Sequence, residues 1–338
     1  MMMDKNYSTD VVIIGAGPVG LFAVFECGML KMQCHVIDSL EQIGGQLTAL
    51  YPEKPIYDIP GYPHILAGGL VEKLEEQAKP FSPVYHLNRK VIGIKTRPDG
   101  RWEVSMSSGE TLDCAAVIIA GGTGAFGPNR PPLEGLSEFE GKSVFYLVRK
   151  RDDFSGKTAV IAGGGDSAVD WAVSLSSVAK KIYVVHRRDK FRAAPAMVQK
   201  MHDIAESGKI ELVIPAQLHA LKGDNGLLRG VEVADLDGNK KTLQADVLLP
   251  FFGIAPQLGP IESFGVHVEQ HHIPVNPATA ETGLKGVFAV GDIAAYPGKL
   301  KLILTGFSDA ARAAHSIHPL VFPGQEIHFI YSTEKGVP

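Results

Sequence analysis

Apolar residues first form a regular pattern at Val11–Ile14, a run rich in β-branched side chains. An uninterrupted run of this kind is typical of a strand buried on both faces of a parallel sheet. A glycine-rich turn follows, then a segment of helix length, and then a second apolar run, Cys34–Ile37. The order strand, turn, helix, strand predicts a βαβ unit at the start of the chain.

The same order returns in the second half of the chain. An apolar run at Thr158–Ala162 leads into a second glycine-rich turn and a second apolar helix. Aligning Gly163 on Gly15 places His186 on Asp38, so the two βαβ units are in register. This internal repeat predicts an α/β protein with two Rossmann-like, three-layer domains.

Further apolar runs complete the two domains. Strand-like runs at 84–95, 101–106 and 111–119 predict a β-meander laid on the first parallel sheet, and runs at 210–214, 227–234 and 242–249 close the second unit. We expect helices at 67–79 and 301–316. A strand at 287–290 has no counterpart in the second unit, so it is assigned to the first domain. The second domain, 124–252, is therefore predicted to be inserted into the first, 1–123 with 253–338.

The first glycine turn has the chemistry of a dinucleotide site. Gly15 permits the tight turn off the strand, Gly17 lets the backbone approach a pyrophosphate, and Gly20 lets the helix lie close to the strand. Asp38 ends the next strand, where an acid accepts hydrogen bonds from ribose hydroxyls. The turn thus predicts a dinucleotide site on the first unit.

The second turn differs at the position that selects the ligand. Gly163 and Gly165 open a helix that contains Ser167, but the next strand leads into Arg187 and Arg188 instead of an acid. Two guanidinium groups favour a 2′-phosphate, which an acid would repel. Because a charged hydrogen bond contributes about 1.5–3 kcal/mol, the pair could favour NADPH over NADH by roughly two to four orders of magnitude. The alternative is a basic turn that only meets solvent.

Composition narrows the class of protein. The 338 residues carry a net charge of −4, which gives no reason to expect binding to nucleic acid. No apolar stretch predicts a membrane span and the N-terminus does not resemble a secretory signal, so we expect a cytoplasmic protein. The three cysteines form no CxxC, and the twelve histidines show no metal-ligand spacing. We expect no metal.

The motifs together resemble the thioredoxin-reductase branch of the two-dinucleotide flavoprotein reductases. The matching segments occur in the same order: GAGPVG (15–20), GGQ (44–46), GGGDSA (163–168), HRRDKFRA (186–193) and FAVGD (288–292). This resemblance implies FAD on the first unit and NADPH or NADP+ on the second. Thioredoxin reductases carry a CxxC shortly before the second glycine motif, whereas 143–154 here contains no cysteine. Disulfide reduction by a protein dithiol is therefore excluded.

Without that dithiol, the chain resembles the ferredoxin–NADP+ reductases of thioredoxin-reductase type, most closely in GGQLTALYPEKPIYDIPGYP (44–63). The resemblance implies a homodimer. It also implies stacking of Tyr51 on one flavin face, with Tyr331 over the other and Thr333 close to the redox edge. The remaining FAD contacts that it implies are Gly45, Gln46, Val91, Phe126, Gly291 and Asp292.

The implied reaction moves electrons from NADPH through the flavin to a one-electron carrier, ferredoxin or flavodoxin. The flavin performs this chemistry, so no catalytic side chain is assigned. Because ferredoxins are acidic, we expect a basic acceptor surface, with candidates Arg149, Lys150, Arg151, Lys299 and Lys301. The alternatives are an NADPH diaphorase, a low-molecular-weight disulfide reductase, or a redox sensor that binds FAD and NADPH without acceptor turnover.

Overall fold

The computed structural model describes residues 6–325, without the side chains of 125–128 and 254–257. Its strands, in chain order, are β1 (Asn6–Ser8), β2 (Val11–Ile14), β3 (Cys34–Ile37), β4 (Pro55–Ile56), β5 (Ile65–Leu66), β6 (Val84–His86), β7 (Val91–Thr96), β8 (Trp102–Met106), β9 (Thr111–Cys114), β10 (Ala116–Ile119), β11 (Ala125–Pro128), β12 (Thr158–Ala162), β13 (Lys181–Val185), β14 (Ile210–Val213), β15 (Ala216–Asp224), β16 (Leu227–Asp235), β17 (Lys240–Gln244), β18 (Val247–Pro250), β19 (Ile254–Gln257), β20 (Ile273–Pro274), β21 (Val287–Ala289) and β22 (Ala294–Ala295).

The α-helices are α1 (Pro18–Met29), α2 (Gln46–Leu50), α3 (Ala67–Ala78), α4 (Leu136–Phe139), α5 (Asp166–Leu175), α6 (Pro195–Glu206) and α7 (Ile303–Val321). The chain divides into two compact units, one formed by 1–126 with 256–338 and the other by 127–255. The domain boundaries predicted from the sequence lie three residues from these divisions.

The first unit is built around a parallel sheet of order β21-β10-β2-β3-β6. Successive side chains of its strands point to opposite faces. On one face, Val11 and Ile13 join a core shared with α1 and α7. On the other, Val12 and Ile14 join a core shared with the sheet β1-β9-β8-β7, which contributes Trp102. Helices, parallel sheet and antiparallel meander are thus the three layers of this unit.

Two of the predicted strand-like runs divide between the sheets of the first unit. The run 84–95 contains β6, in the parallel sheet, and β7, in the meander; Asn88 between them has a φ of 57°. The run 111–119 contains β9 and β10 in the same way, with the Ala115 amide bonded to the Asp10 carbonyl at the break. A strand-like run in the sequence predicts extended backbone but not that the chain changes sheet within the run.

The second unit repeats the design with a smaller parallel sheet, β14-β13-β12-β18, and an antiparallel sheet, β15-β16-β17. Val160 and Val185 share a core with Val231 and Val233 of the antiparallel sheet. Helices α5 and α6 contact the parallel strands and form the third layer. The predicted run 242–249 is again two strands, because β17 pairs with β16 while β18 pairs with β12.

Helix boundaries differ in detail from the prediction. Helix α3 ends one residue before the predicted residue 79, and α7 begins at Ile303 and continues to Val321, past the predicted residue 316. Among the described residues, no helix is long and apolar enough to cross a membrane.

Candidate functional site

A cavity of about 450 Å³ lies in the first unit, at the carboxyl ends of its parallel strands. Ligands of open α/β sheets bind at this edge. The residues predicted for FAD that line the cavity are Gly15, Gly17, Asp38, Gly45, Gln46, Tyr51, Val91, Gly291 and Asp292. The side chain of Phe126 and residues Tyr331 and Thr333 lie outside the part of the chain that the structure describes.

The glycine turn leaves room where a phosphate would approach. A Cβ atom on Gly15, whose φ is 112°, would lie 2.4 Å from the Ala120 carbonyl oxygen. One on Gly20 would lie 1.9 Å from the Gly15 oxygen, so Gly20 packs helix against strand and does not line the cavity. A Cβ on Gly17, by contrast, would meet no atom within 4 Å. The open backbone at the N-terminus of α1 fits a dinucleotide pyrophosphate.

Asp38 is held against the glycine turn by backbone donors. Its Oδ2 accepts a 2.6 Å hydrogen bond from the Ala16 amide and its Oδ1 a 2.9 Å bond from the Leu40 amide. Burial raises the pKa of the Asp38 carboxyl, and the backbone hydrogen bonds oppose that rise. A carboxylate has about four lone-pair sites and three backbone amides donate to Asp38, so a ribose hydroxyl can still donate to it.

The same cavity contains the side chains that the resemblance places at the flavin. Gln46 Nε2 donates to Thr123 Oγ1 at 2.8 Å, which fixes the Gln46 amide. Burial raises the pKa of Tyr51, and the nearby charge of Asp292 adds to the rise. The Lys54 ammonium lies 5.7 Å from the centroid of the Tyr51 ring. Thr123 and Lys54 were not found from the sequence.

Two predicted acceptor-surface residues are not free to meet a partner. The Lys299 side chain is only 6% exposed and its Nζ is paired with Asp309. The Arg151 guanidinium donates to the Ser174 carbonyl at 2.9 Å and to the Ser177 hydroxyl. The prediction of a docking role for Lys299 is therefore wrong, because a buried acid already neutralises this cation. Of the other candidates, Arg149, Lys150 and Lys301 are exposed, and Lys301 also lines the cavity.

The second unit carries its own glycine turn at the end of β12. A Cβ on Gly163 would lie 2.5 Å from the Phe251 carbonyl oxygen, whereas one on Gly165 would meet nothing within 4 Å. Ser167 is exposed in the first turn of α5. The open backbone at Gly165 again fits a phosphate at a helix N-terminus.

The end of β13 places its basic residues beside this turn. The His186 ring packs over Gly164, where a Cβ would lie 2.2 Å from it, and stacks on Phe191 at 5.3 Å. Burial lowers the pKa of His186, and the charges of Arg187 and Arg188 add to that effect. Both arginines are exposed.

Arg192 joins the second turn through its backbone. Its amide donates to the Gly164 carbonyl at 2.7 Å, and its guanidinium is exposed. Arg192 is therefore a third arginine at this turn. It was not predicted as a ligand residue, because the prediction considered only the residues directly after the strand.

The chemistry of the thiols agrees with the missing CxxC. Cys27, Cys34 and Cys114 are all buried and free. A hydrogen bond with Cys27, followed by burial, raises the pKa of the Cys34 thiol, and burial raises that of Cys114 to about 12. Within residues 6–325 no three His, Cys, Asp or Glu side chains are arranged to hold a metal ion.

Comparison with known proteins decides the family. The family model described as pyridine nucleotide-disulphide oxidoreductase matches residues 9–315. The chain belongs to the pyridine nucleotide-disulphide oxidoreductase family. Within it, the chain is 60% identical over 333 residues to a protein of Paramagnetospirillum magneticum named ferredoxin–NADP reductase, covering 98% of this chain and 99% of that protein. A protein of the same name from Rhodospirillum rubrum is 59% identical over 341 residues, covering 100% and 99%.

A solved structure gives the same fold. Thioredoxin reductase of Lactococcus lactis, in its FR conformation, superposes with a TM-score of 0.79 at 25% identity, over 93% of this chain and 99% of that one. The predicted resemblance, the fold class and the assignment to the oxidoreductases are therefore confirmed.

Proposed function

We propose that this protein is an FAD-dependent ferredoxin–NADP+ reductase that moves electrons between NADPH and a one-electron carrier, ferredoxin or flavodoxin. The cavity of the first unit supports this proposal most directly, because its open glycine turn, the Asp38 carboxylate and Tyr51 lie along one cleft. The likeness to proteins named ferredoxin–NADP reductase supplies the type of acceptor.

In this proposal the first unit holds FAD. Backbone amides at the start of α1 receive the pyrophosphate beside Gly17, and Asp38 accepts from the ribose. Gln46 and Tyr51 lie at the ring system, and Asp292 binds the ribityl chain. When bound, FAD accepts a hydride from NADPH and releases electrons singly. The side chains only bind and orient it, so no residue is assigned as a proton donor or nucleophile.

The second unit holds NADPH or NADP+ in the same proposal. Gly163, Gly165 and Ser167 form the phosphate turn at the N-terminus of α5. Arg187 and Arg188, both exposed, bind the 2′-phosphate that distinguishes NADPH from NADH. The His186 ring, packed over Gly164, fixes the start of this basic segment.

The electron carrier meets a basic surface in this account. Lys301 is the best placed cation because it is exposed and lines the cavity of the first unit. Arg149 and Lys150 are exposed cations on the second unit. We further propose that the protein works in the cytoplasm as a homodimer, and that Tyr331 and Thr333 of the C-terminal tail complete the flavin site.

Anaerobic titration of the purified yellow protein with NADPH tests both cofactor assignments. We expect one FAD per chain, bleached by a stoichiometric amount of NADPH and far more slowly by NADH. Protein without flavin, or flavin that NADPH does not reduce, would contradict the proposal. Rapid reduction with no turnover of ferredoxin would favour a diaphorase or a reductase of small disulfides.

A further inference from the structure

Asp309 is the only acid in α7, and its side chain is completely buried. A buried carboxylate is unfavourable unless hydrogen bonds and opposite charges compensate for its lost hydration. Its Oδ1 accepts from the Tyr296 hydroxyl at 2.7 Å and from the Arg312 guanidinium. Its Oδ2 accepts from the Gly291 amide at 3.2 Å and from the Lys299 ammonium. Both oxygens are therefore fully used.

The two cations of this cluster are organised around one ring. Lys299 Nζ and Arg312 Cζ each lie 5.4 Å from the centroid of the Tyr296 ring, and Arg312 also donates to the Tyr296 hydroxyl at 3.1 Å. Aromatic faces attract cations at this range. Asp309 thus fixes a loop residue, a lysine and a helical arginine in one arrangement.

The hydrogen bond to Gly291 connects the cluster to the cavity. Gly291 has a φ of 76° and forms, with Asp292, a turn that lines the cavity. Helix α7 also rests on this turn directly, since a Cβ on Gly306 would lie 3.2 Å from the Gly291 Cα atom. The position of Asp292 beside Tyr51 therefore depends on α7, and the Asp309 carboxylate holds the Gly291 amide there.

The bonds to Tyr296 and Lys299 fix a second part of the same wall. The segment from Tyr296 leads through Lys299 to Lys301 and Ile303, and the last two line the cavity. One buried carboxylate thereby joins the turn at 291–292 to the segment at 296–303. Neither stretch has another acid in this role in the part of the chain that the structure describes.

We propose that Asp309 is a positioning residue for the flavin cofactor: it sets the wall of the cavity that receives FAD without touching the ligand itself. This rests on the proposed function, in that the cavity is the FAD site. Loss of the carboxylate leaves the Gly291 amide without its acceptor and frees the segment 296–301, so that FAD meets a less ordered wall.

The test compares FAD binding to apo-protein in three variants. Asp309→Leu combined with Lys299→Met removes both acceptor oxygens together with the buried lysine charge. Arg312, whose side chain is 33% exposed, can then turn to solvent. Lys299→Met alone keeps the carboxylate and its bond to Gly291. Asp113→Asn is the matched control, since Asp113 also pairs with two arginines, Arg97 and Arg101, but does not line the cavity.

We expect the double variant to raise the Kd for FAD about tenfold, the loss typical of a charged hydrogen bond, and to change the visible circular dichroism of bound FAD. Lys299→Met loses one of the two links but keeps the bond to Gly291, so it raises the Kd less than the double variant does. Asp113→Asn keeps the wild-type Kd and spectrum, and both variants lower the melting temperature. A wild-type Kd and spectrum in the double variant would overturn the positioning role. The role would also be overturned if Lys299→Met raised the Kd for FAD as much as the double variant does. Failure of wild-type apo-protein to bind FAD would instead reject the proposed function.

Discussion

The Oδ2 atom of Asp38 accepts a 2.6 Å hydrogen bond from the backbone amide of Ala16, inside the glycine turn. The strand-end acid of the first unit therefore has a structural partner before any ribose arrives. The Asp38 carboxylate ties the end of β3 to the turn after β2. One carboxylate therefore both shapes the phosphate site and provides the acceptor for the ribose.

Replacing Asp38 by Ala should weaken FAD binding at least tenfold and destabilise the apo-protein. The amides of Ala16 and Leu40 would lose their acceptor, at about 1–3 kcal/mol for each buried donor left unsatisfied. Fluorescence titration of apo-protein with FAD measures the affinity. Asp10→Ala is the control, because Asp10 accepts from the Gln33 amide at 2.8 Å in an exposed position outside the cavity. Wild-type affinity in Asp38→Ala would contradict the assignment.

Substitution of both Arg187 and Arg188 by Ala should remove the preference for NADPH. We expect kcat/KM for NADPH to fall roughly 10²- to 10⁴-fold, since each arginine supplies a charged hydrogen bond to the 2′-phosphate, while that for NADH changes little. Initial rates of ferricyanide reduction with each nucleotide measure the ratio. Arg229→Ala, an exposed arginine paired with Asp224 in the antiparallel sheet, should leave it unchanged. A retained preference would assign the 2′-phosphate to other residues.

The pair His35 and His86 should make the protein less stable in mild acid. Their ring nitrogens lie 3.0 Å apart, and burial, followed by the charge of His86, lowers the pKa of His35 to about 4. Between this value and the ordinary 6.5 the unfolded chain binds more protons than the folded one. Stability is therefore complete above about pH 6.5 and is lost as the pH falls towards about 4.

Melting curves across this pH range measure the effect. His35→Asn should flatten the fall in melting temperature by a few degrees, whereas His315→Asn, an exposed position on α7, should follow the wild type. Identical slopes for His35→Asn and the wild type would show that the pair does not carry the pH dependence.

Lys301→Gln should slow electron transfer to ferredoxin several-fold at low ionic strength, and added salt should abolish the difference. Both effects follow from the screening of attraction between a basic surface and an acidic carrier. Turnover with ferredoxin is compared with ferricyanide reduction, which should be unchanged if the flavin site is intact. The control is Lys285→Gln, an exposed lysine that does not line the cavity. Equal loss with both acceptors would point to damage at the flavin instead of docking.

The parts of the molecule that the sequence predicted well are those set by local pattern. Strand, glycine turn and helix follow one another at Val11–Ile14 and Gly15, so the backbone geometry of the turn is fixed within a few residues. The same holds at Gly163. The second unit lacks an acid at the end of β13, and this difference between the two units was evident from the sequence alone.

The parts that were missed depend on contacts between distant segments. The run 111–119 contains no glycine or proline, so its change of sheet at Ala115 was not visible in the pattern. The sequence predicted that Lys299 is a solvent-exposed cation, but its side chain is buried and paired with Asp309, ten residues later. A lone acid in the apolar helix α7 was the available signal, since a buried acid needs charged partners.

The most direct test is NADPH-dependent reduction of cytochrome c by the purified yellow protein, with and without added ferredoxin. We expect slow reduction by the protein alone and a strong, saturable increase with ferredoxin that weakens as salt rises. A rate that does not depend on ferredoxin, with flavin still reduced rapidly by NADPH, would contradict the assignment of ferredoxin as the acceptor. The protein would then be an oxidoreductase of the same fold and cofactors with a different acceptor.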